Sequence, residues 1–180
     1  MCIRDSFSSR PIVLRHHADA DGICAAAAIE QAVTALLRES GADFDAVYFL
    51  FKRAPSKAPF YEIEDITRDL DFALKDSVRY GQKMPLILLM DNGSTEEDMP
   101  SLKMTRIYDL PVMVVDHHHP DEVVDDYLIA HVNPYHVGGD YGITAGMLGT
   151  EIARMVNPET ESQIRHLPAL AGVGDRSEPP

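Results

Sequence analysis

Carboxylates and imidazoles form short clusters in this sequence that could bind divalent cations. The first cluster holds His17, Asp19 and Asp21, followed by Gly22. A histidine with two carboxylates favours Mn²⁺ or Mg²⁺ over thiolate-seeking ions, and glycine permits a tight turn into the next helix. Aspartate before a helix is also a common N-cap, so capping of a helix that begins near Ile23 is an equal alternative for this cluster alone.

Two further clusters and one isolated aspartate add candidate ligands. Asp91-Asn-Gly-Ser94 follows an apolar run; its carboxylate could bridge two cations, although Asn-Gly is an ordinary turn signal and a turn is favoured for this cluster alone. Asp116 precedes three consecutive histidines, which are costly to bury unless paired or coordinated. A solvated histidine-rich turn is the alternative. Asp175, in a glycine-rich stretch, could complete the shell of a second metal.

Apolar runs alternate with helical patterns along the chain. We predict strands at 11–15, 46–51, 86–90, 112–115 and 128–132, helices at 23–38, 62–80 and 142–156, and a proline-interrupted loop at 53–59. A poorly defined helix or turn follows Ser94. This alternation predicts an α/β fold, a mostly parallel β-sheet flanked by helices, with strands buried on both faces. Ligands bind beyond the carboxyl ends of such strands, so the clusters are expected to converge on one crevice.

Composition bounds the class of protein. The chain has 180 residues, with 29 acidic and 16 basic side chains and a net charge of −13, which argues mildly against strong duplex binding unless divalent cations neutralise part of it. The sequence has no run of eighteen apolar residues, so we predict no membrane-spanning helix. Cys2 and Cys24 are too few for a disulfide framework. We expect a cytoplasmic location, a non-native or disordered leader at 1–10, and one catalytic domain at 11–180 that is truncated at its C-terminus.

In order along the chain, the clusters resemble the four motifs of the DHH superfamily of phosphoesterases. The matching residues are His17-x-Asp19-x-Asp21-Gly22, Asp91-x-Gly93-Ser94, Asp116-His117-His118 and Asp175. The superfamily includes RecJ-type single-strand exonucleases, phosphodiesterases of short oligonucleotides and cyclic dinucleotides, and pyrophosphatases. The HADADG form and the later RAPSKAPFYE stretch most resemble archaeal RecJ-like exonucleases. Pyrophosphatases have His-x-x-Pro-Asp-x-Asp as the first motif, a pattern this chain lacks.

The resemblance implies a Rossmann-like DHH domain and a role for each motif residue. His17 and Asp19 would hold the first metal and Asp91 would bridge both; the second metal would be held by Asp21, His117 and Asp175. His118 would face the scissile phosphate, supported by Asp116. Two Mn²⁺ (or Mg²⁺) ions would activate a water for in-line attack, without a covalent enzyme intermediate. His16 and His119 have no family role.

A glycine-rich stretch suggests further contacts to substrate. Gly138 and Gly139 precede a helix whose N-terminal N–H groups could bind an anion, and Asn133, His136 and Arg176 could contact a backbone phosphate. A plain loop with a helix cap is an equal alternative. Relatives of this superfamily bind substrate between this domain and a C-terminal DHHA1 domain, which we expect to be absent from this chain.

The resemblance implies a metal-dependent, RecJ-like exonuclease acting on single-stranded DNA or RNA, as in DNA repair. A phosphodiesterase of short oligonucleotides or cyclic dinucleotides is the alternative. A catalytically inactive scaffold is less favoured because every expected ligand is present. A closed structural metal site is disfavoured by the carboxylate-rich clusters.

Overall fold

Five parallel strands form the central sheet of this α/β domain. In a computed structural model of the chain, which describes residues 10–177, the strands are β1 (Ile12–His17), β2 (Phe51–Ser56), β3 (Leu86–Met90), β4 (Val112–Val115) and β5 (Ala130–Val132). Their order across the sheet is β2-β1-β3-β4-β5, and every neighbouring pair is parallel. The predicted α/β fold is confirmed. Because the strand order reverses beside β1, the crevice expected of such sheets opens at the carboxyl ends of β1 and β3.

Helices connect the strands and cover both faces of the sheet. They are α1 (Ala20–Glu39), α2 (Phe44–Leu50), α3 (Ile63–Tyr80), α4 (Met99–Ile107), α5 (Ala145–Val156), α6 (Glu161–Ile164) and α7 (Leu167–Gly174). Short 3-10 turns lie at Glu96–Asp98, Glu122–Tyr127, Pro134–Val137 and Pro158–Thr160. The predicted leader lies outside the described residues, except for Arg10.

Two hydrophobic cores lie on opposite sides of the sheet. Ile12 and Leu14 of β1 belong to the core that includes buried residues of α1, α5 and α7, whereas Val13 belongs to the core with α3 and α4. Successive residues of a strand therefore enter different cores. This arrangement explains why the strands read as continuous apolar runs without polar alternation.

Helix α1 contributes many buried residues to the first core. By length and composition alone it could cross a membrane, but 56% of its most apolar window is buried inside the domain. Its buried face includes Ala25, Ile29 and Val33. Core helices of globular proteins meet the same length and composition criterion, so packing inside the domain explains the apolar composition of α1.

The second strand begins later than predicted. The 46–51 segment was expected to be a strand from its apolar and aromatic residues, but this prediction is wrong: it forms most of α2, because the side chain of Asp43 caps the helix by accepting from the Ala46 N–H at 2.8 Å. Strand β2 instead covers the first part of the predicted 53–59 loop. Its Pro55 is tolerated because β2 is an edge strand.

The remaining boundaries shift by a few residues. Strand β1 continues to His17, β5 is limited to 130–132, and α1 begins at Ala20, so that Asp21 lies in its first turn. The undefined segment after Ser94 forms a 3-10 turn and α4. Helix α5 begins after Thr144, whose hydroxyl accepts from the Met147 N–H.

Candidate metal centre

The carboxyl ends of β1, β3 and β4 bring the predicted ligands together. Their ligand atoms form three overlapping groups, and within each group all ligand atoms lie within 4.8 Å of one another. The groups are His17, Asp19 and Asp91; Asp21, His117 and Asp175; and Asp91, His117 and His118. Residues from all four sequence motifs therefore meet in one place, including Asp175 at the end of α7.

Asp91 lies between the first two groups. Its Oδ2 is 3.5 Å from His17 Nδ1, and its Oδ1 is 3.5 Å from His117 Nε2. The residue is 1% exposed, and neither carboxylate oxygen makes a hydrogen bond to any described residue. Its φ of 60° is a left-handed conformation that aspartate adopts more readily than most residues. A buried, unpaired carboxylate is costly, and a cation on each side would offset that cost.

Asp19 both caps α1 and faces His17. Its Oδ1 accepts from the Gly22 N–H at 2.9 Å, and its Oδ2 lies 2.9 Å from His17 Nδ1. Burial raises the pKa of Asp19. The hydrogen bond from Gly22 and the nearby His17 lower the pKa by more, so that it lies below its ordinary value. The pKa of His17 is raised, chiefly by Asp91. Capping and ligation are therefore compatible, because each uses a different oxygen.

The side chain of Asp21, in the first turn of α1, contacts the N-terminus of α5. Its two oxygens accept from the Ala145 and Gly146 N–H groups, both at 2.8 Å. Oδ2 also lies 3.6 Å from His117 Nε2. Burial, followed by the charge of Asp91, raises the pKa of Asp21 to about 6.

His117 presents one nitrogen to three carboxylates. Its Nδ1 lies 2.9 Å from the Tyr141 carbonyl oxygen, which can only accept, so Nδ1 carries a proton and Nε2 faces the cluster. Nε2 is 3.5 Å from Asp175 Oδ2 and similarly close to Asp21 and Asp91. Burial lowers the pKa of His117, but Asp91, the Tyr141 carbonyl and Asp21 outweigh burial and raise it to about 9. A backbone acceptor on the second nitrogen is the usual way to orient a metal-binding histidine.

His118 is held by Asp116. Its Nδ1 lies 2.7 Å from Asp116 Oδ1, which also accepts from the His117 N–H at 2.8 Å. This contact is the main reason that the pKa of His118 is raised. The Asp116 carboxyl is buried, which alone would raise its pKa, but His118 lowers the pKa below its ordinary value. The His118 side chain is 41% exposed, so its second nitrogen remains available to a substrate.

The two predicted substrate-binding glycines close a turn instead of presenting free N–H groups. Gly138 N–H donates to the Tyr135 carbonyl and Gly139 N–H donates to the Pro134 carbonyl, at 3.3 and 2.9 Å. Gly138 ends the 3-10 turn with a φ of 78°. The first N–H groups of α5 are likewise taken by Asp21. These donors are therefore already paired within the domain.

The other three predicted contacts have different environments. Asn133 is buried and its amide donates to the His118 carbonyl at 2.8 Å, so it positions the motif loop. The ring of His136 packs edge-on against that of His131. Arg176 is exposed directly after Asp175.

Sequence reasoning missed some supporting residues and gave a different reason for another. Tyr141 contributes only a backbone carbonyl, which leaves no signal in its side-chain type. Gly22 is required for a different reason than a tight turn: a Cβ there would lie 2.3 Å from the His17 carbonyl oxygen and 3.0 Å from Asp91 Oδ2. His16, without a predicted role, is buried and its Nδ1 lies 2.7 Å from the His17 carbonyl.

A comparison with known protein families covers most of the chain. Residues 11–171 match the model of the DHH family, N-terminal domain. The chain belongs to the DHH family. This DHH domain is 54% identical over 175 residues to an uncharacterized protein of Methanocaldococcus jannaschii, covering 94% of the chain and 23% of that protein. The chain thus spans about a quarter of the length of that relative.

Solved structures agree with the same assignment. A DHH domain described as a member of the s1p family of ribosomal proteins has a TM-score of 0.94 and 49% identity, covering 98% of this DHH domain and 42% of that chain. RecJ from Thermus thermophilus, in complex with Mn²⁺, has a TM-score of 0.58 and 15% identity. The match covers 96% of this DHH domain and 22% of the RecJ chain. At that identity, the RecJ comparison shows a shared fold.

Proposed function

We propose that this DHH domain hydrolyses phosphodiester bonds at a two-metal centre, as a RecJ-like exonuclease on single-stranded DNA or RNA. The observation that carries the proposal is the position of Asp91, with one unpaired oxygen toward each ligand group. The exposed position of His118 beside these groups adds a residue that can meet a substrate.

The donor set fits two divalent cations. His17, Asp19 and Asp91 would hold one, and Asp21, His117 and Asp175 would hold the other with Asp91 shared. His117 Nε2 and both oxygens of Asp91 are buried without a hydrogen-bond partner in the described chain, as expected of atoms reserved for ligation. Oxygen-rich shells with a single imidazole each suit Mn²⁺ or Mg²⁺, and RecJ has been solved with manganese. When bound, such a pair supplies the Lewis acidity that lowers the pKa of water and offsets phosphoryl charge.

The protein groups would orient the substrate and hold protons at defined atoms. Asp116 accepts from His118 Nδ1, which fixes the imidazole and leaves Nε2 to donate to a phosphoryl oxygen. The raised pKa of His118 favours the protonated form that can donate. A donor placed where negative charge develops contributes most in a buried site. Arg176, exposed beside Asp175, would contact the next phosphate of the strand.

The charge of the domain supports a second candidate function on shorter substrates. The net charge of −13 repels a long polyanion more than a short one, so hydrolysis of short oligonucleotides or cyclic dinucleotides is the second candidate. The s1p ribosomal-protein description of the 49% identical DHH domain is a reason to test RNA beside DNA. The cytoplasmic location, the 11–180 domain bounds and a substrate-clamping DHHA1-type domain elsewhere in the full protein belong to the same proposal.

The test compares Asp91→Asn with a matched exposed aspartate, Asp71→Asn, which removes only a surface pair with Lys75. Metal-stripped proteins are incubated with end-labelled single-stranded DNA, single-stranded RNA and a dinucleotide, with Mn²⁺ or with chelator. Mn²⁺-dependent release of mononucleotides by the wild type and Asp71→Asn, but not Asp91→Asn, would support the proposal. Metal binding in calorimetry without any cleavage would indicate that hydrolysis also needs the DHHA1-type domain, and absence of Mn²⁺ binding would overturn the two-metal centre.

A further inference from the structure

A second group of metal-ligating side chains lies outside the two-metal centre. Asp125, His131 and His136 have ligand atoms within 4.8 Å of one another. They come from three consecutive elements: the Glu122–Tyr127 turn, β5 and the Pro134–Val137 turn. All three line a surface cleft of about 310 Å³. No member of this group is a ligand in the DHH motifs.

His131 is held in one orientation by contacts at both nitrogens. Its Nδ1 lies 2.7 Å from Asp125 Oδ1 and its Nε2 lies 2.9 Å from Ser94 Oγ. The His131 side chain is only 6% exposed and Ser94 is 1% exposed. A buried partner on the second ring nitrogen is the usual support of a metal-binding histidine, because it sets both the tautomer and the ring plane.

His136 supplies the third ligand from the neighbouring turn. Its ring centroid is 4.5 Å from that of His131, with the planes 78° apart. His136 is exposed, so its imidazole can adjust its position at little cost. The turn itself is fixed, because Asn133 accepts from the Tyr135 N–H and donates to the His118 carbonyl. A fixed backbone with one adjustable ring can close around an ion without refolding.

We propose that Asp125, His131 and His136 bind one divalent transition-metal ion of the Zn²⁺ class. Two imidazoles and one carboxylate are a softer donor set than the carboxylate-rich DHH cluster, and they favour Zn²⁺, Co²⁺ or Ni²⁺ over Mg²⁺ and Mn²⁺. Three protein ligands leave one position that opens to the cleft. Ligation through His131 Nδ1 requires Nε2 to carry the proton and to donate to Ser94 Oγ, a contact whose distance the structure already has.

This proposal is independent of phosphodiester hydrolysis and is tested by binding alone. The chain carrying Asp91→Ala, which weakens the DHH centre, is stripped of metal and titrated with Zn²⁺ by calorimetry and with Co²⁺ by visible absorption. We expect one Zn²⁺ equivalent to remain, in the presence of excess Mg²⁺. Adding His136→Ala should weaken that binding by more than about tenfold, the scale typical of an altered metal site, and should remove the Co²⁺ ligand-field bands.

The matched control is His166→Ala, which removes another exposed histidine outside the group. It should leave the Zn²⁺ affinity unchanged. Asp125→Asn gives a second exposed variant and should also weaken Zn²⁺ binding. The proposal is overturned if Asp91→Ala retains no Zn²⁺ equivalent, or if His136→Ala and His166→Ala bind Zn²⁺ equally well.

Discussion

Two buried aspartates of this domain should differ in how much stability they lose on the same substitution. Asp91 is 1% exposed and makes no hydrogen bond to a described residue, whereas Asp98 is 0% exposed and accepts from the Tyr61 N–H, the Thr95 N–H and the Thr95 hydroxyl. Asparagine keeps the shape of aspartate and tolerates the φ of 60° at position 91. Asp→Asn therefore removes a carboxylate charge at both sites, but only at position 98 does it also remove hydrogen bonds, those that the second carboxylate oxygen accepts from Thr95.

The expected magnitudes follow from these contacts. In the metal-free protein, Asp91→Asn should change the free energy of unfolding by less than about 1 kcal/mol, because lost attraction to His17 and His117 is offset by relief of charge burial and of repulsion from Asp21. Asp98→Asn should cost about 2–3 kcal/mol, because the Thr95 N–H would face an amide that cannot accept. Mn²⁺ at a hundred times its Kd should add about 2.7 kcal/mol to the wild type and to Asp98→Asn, but not to Asp91→Asn.

Urea unfolding followed by circular dichroism, in chelator and in Mn²⁺, measures all of these values on the same proteins. The reasoning fails if Asp91→Asn loses about 2 kcal/mol or more without metal, since Asp91 would then be a structural residue of the kind that Asp98 is. It also fails if Mn²⁺ stabilises Asp91→Asn as much as the wild type.

Two further predictions concern charge. Arg15→Met should lower the free energy of unfolding by about 3–5 kcal/mol in urea melts, because it strands the buried Asp65 and Asp69 carboxylates that Arg15 contacts at 3.0 and 2.8 Å; the exposed Lys75→Met should cost less than about 1 kcal/mol, and equal losses would contradict this explanation. Mn²⁺ binding at pH 7 should release roughly one proton, because the pKa of His117 is about 9 in the metal-free protein and its imidazolium must deprotonate to ligate. Proton release should fall as pH rises through 9, and calorimetric heats that do not depend on the ionisation enthalpy of the buffer would refute it.

The sequence predicted the strands that carry the site better than the edge of the sheet. Strands β1, β3 and β4 are unbroken apolar runs that end in polar motifs, and burial on both faces makes such runs easy to recognise. Strand β2 was misplaced because the apolar segment 46–51, which was predicted to be the strand, is mostly helical. The Asp43 side chain caps the start of that helix, and the aromatic residues of the segment gave no sign of this cap.

Residue types and motif order alone predicted which side chains could bind metal, because ligand chemistry depends on the donor atoms themselves. Only the tertiary structure decided how each donor is used. Asp21 accepts from N–H groups of α5 that lie 124 and 125 residues away, and this contact forms because α1 and α5 pack closely: a Cβ at Gly149 would lie 3.0 Å from the Ala25 Cα. The same packing withdraws the α5 N-terminus from a substrate phosphate. Spacing along a chain cannot predict such partners, because hydrogen bonds and metal shells depend on distances in space that the packed sheet and helices set.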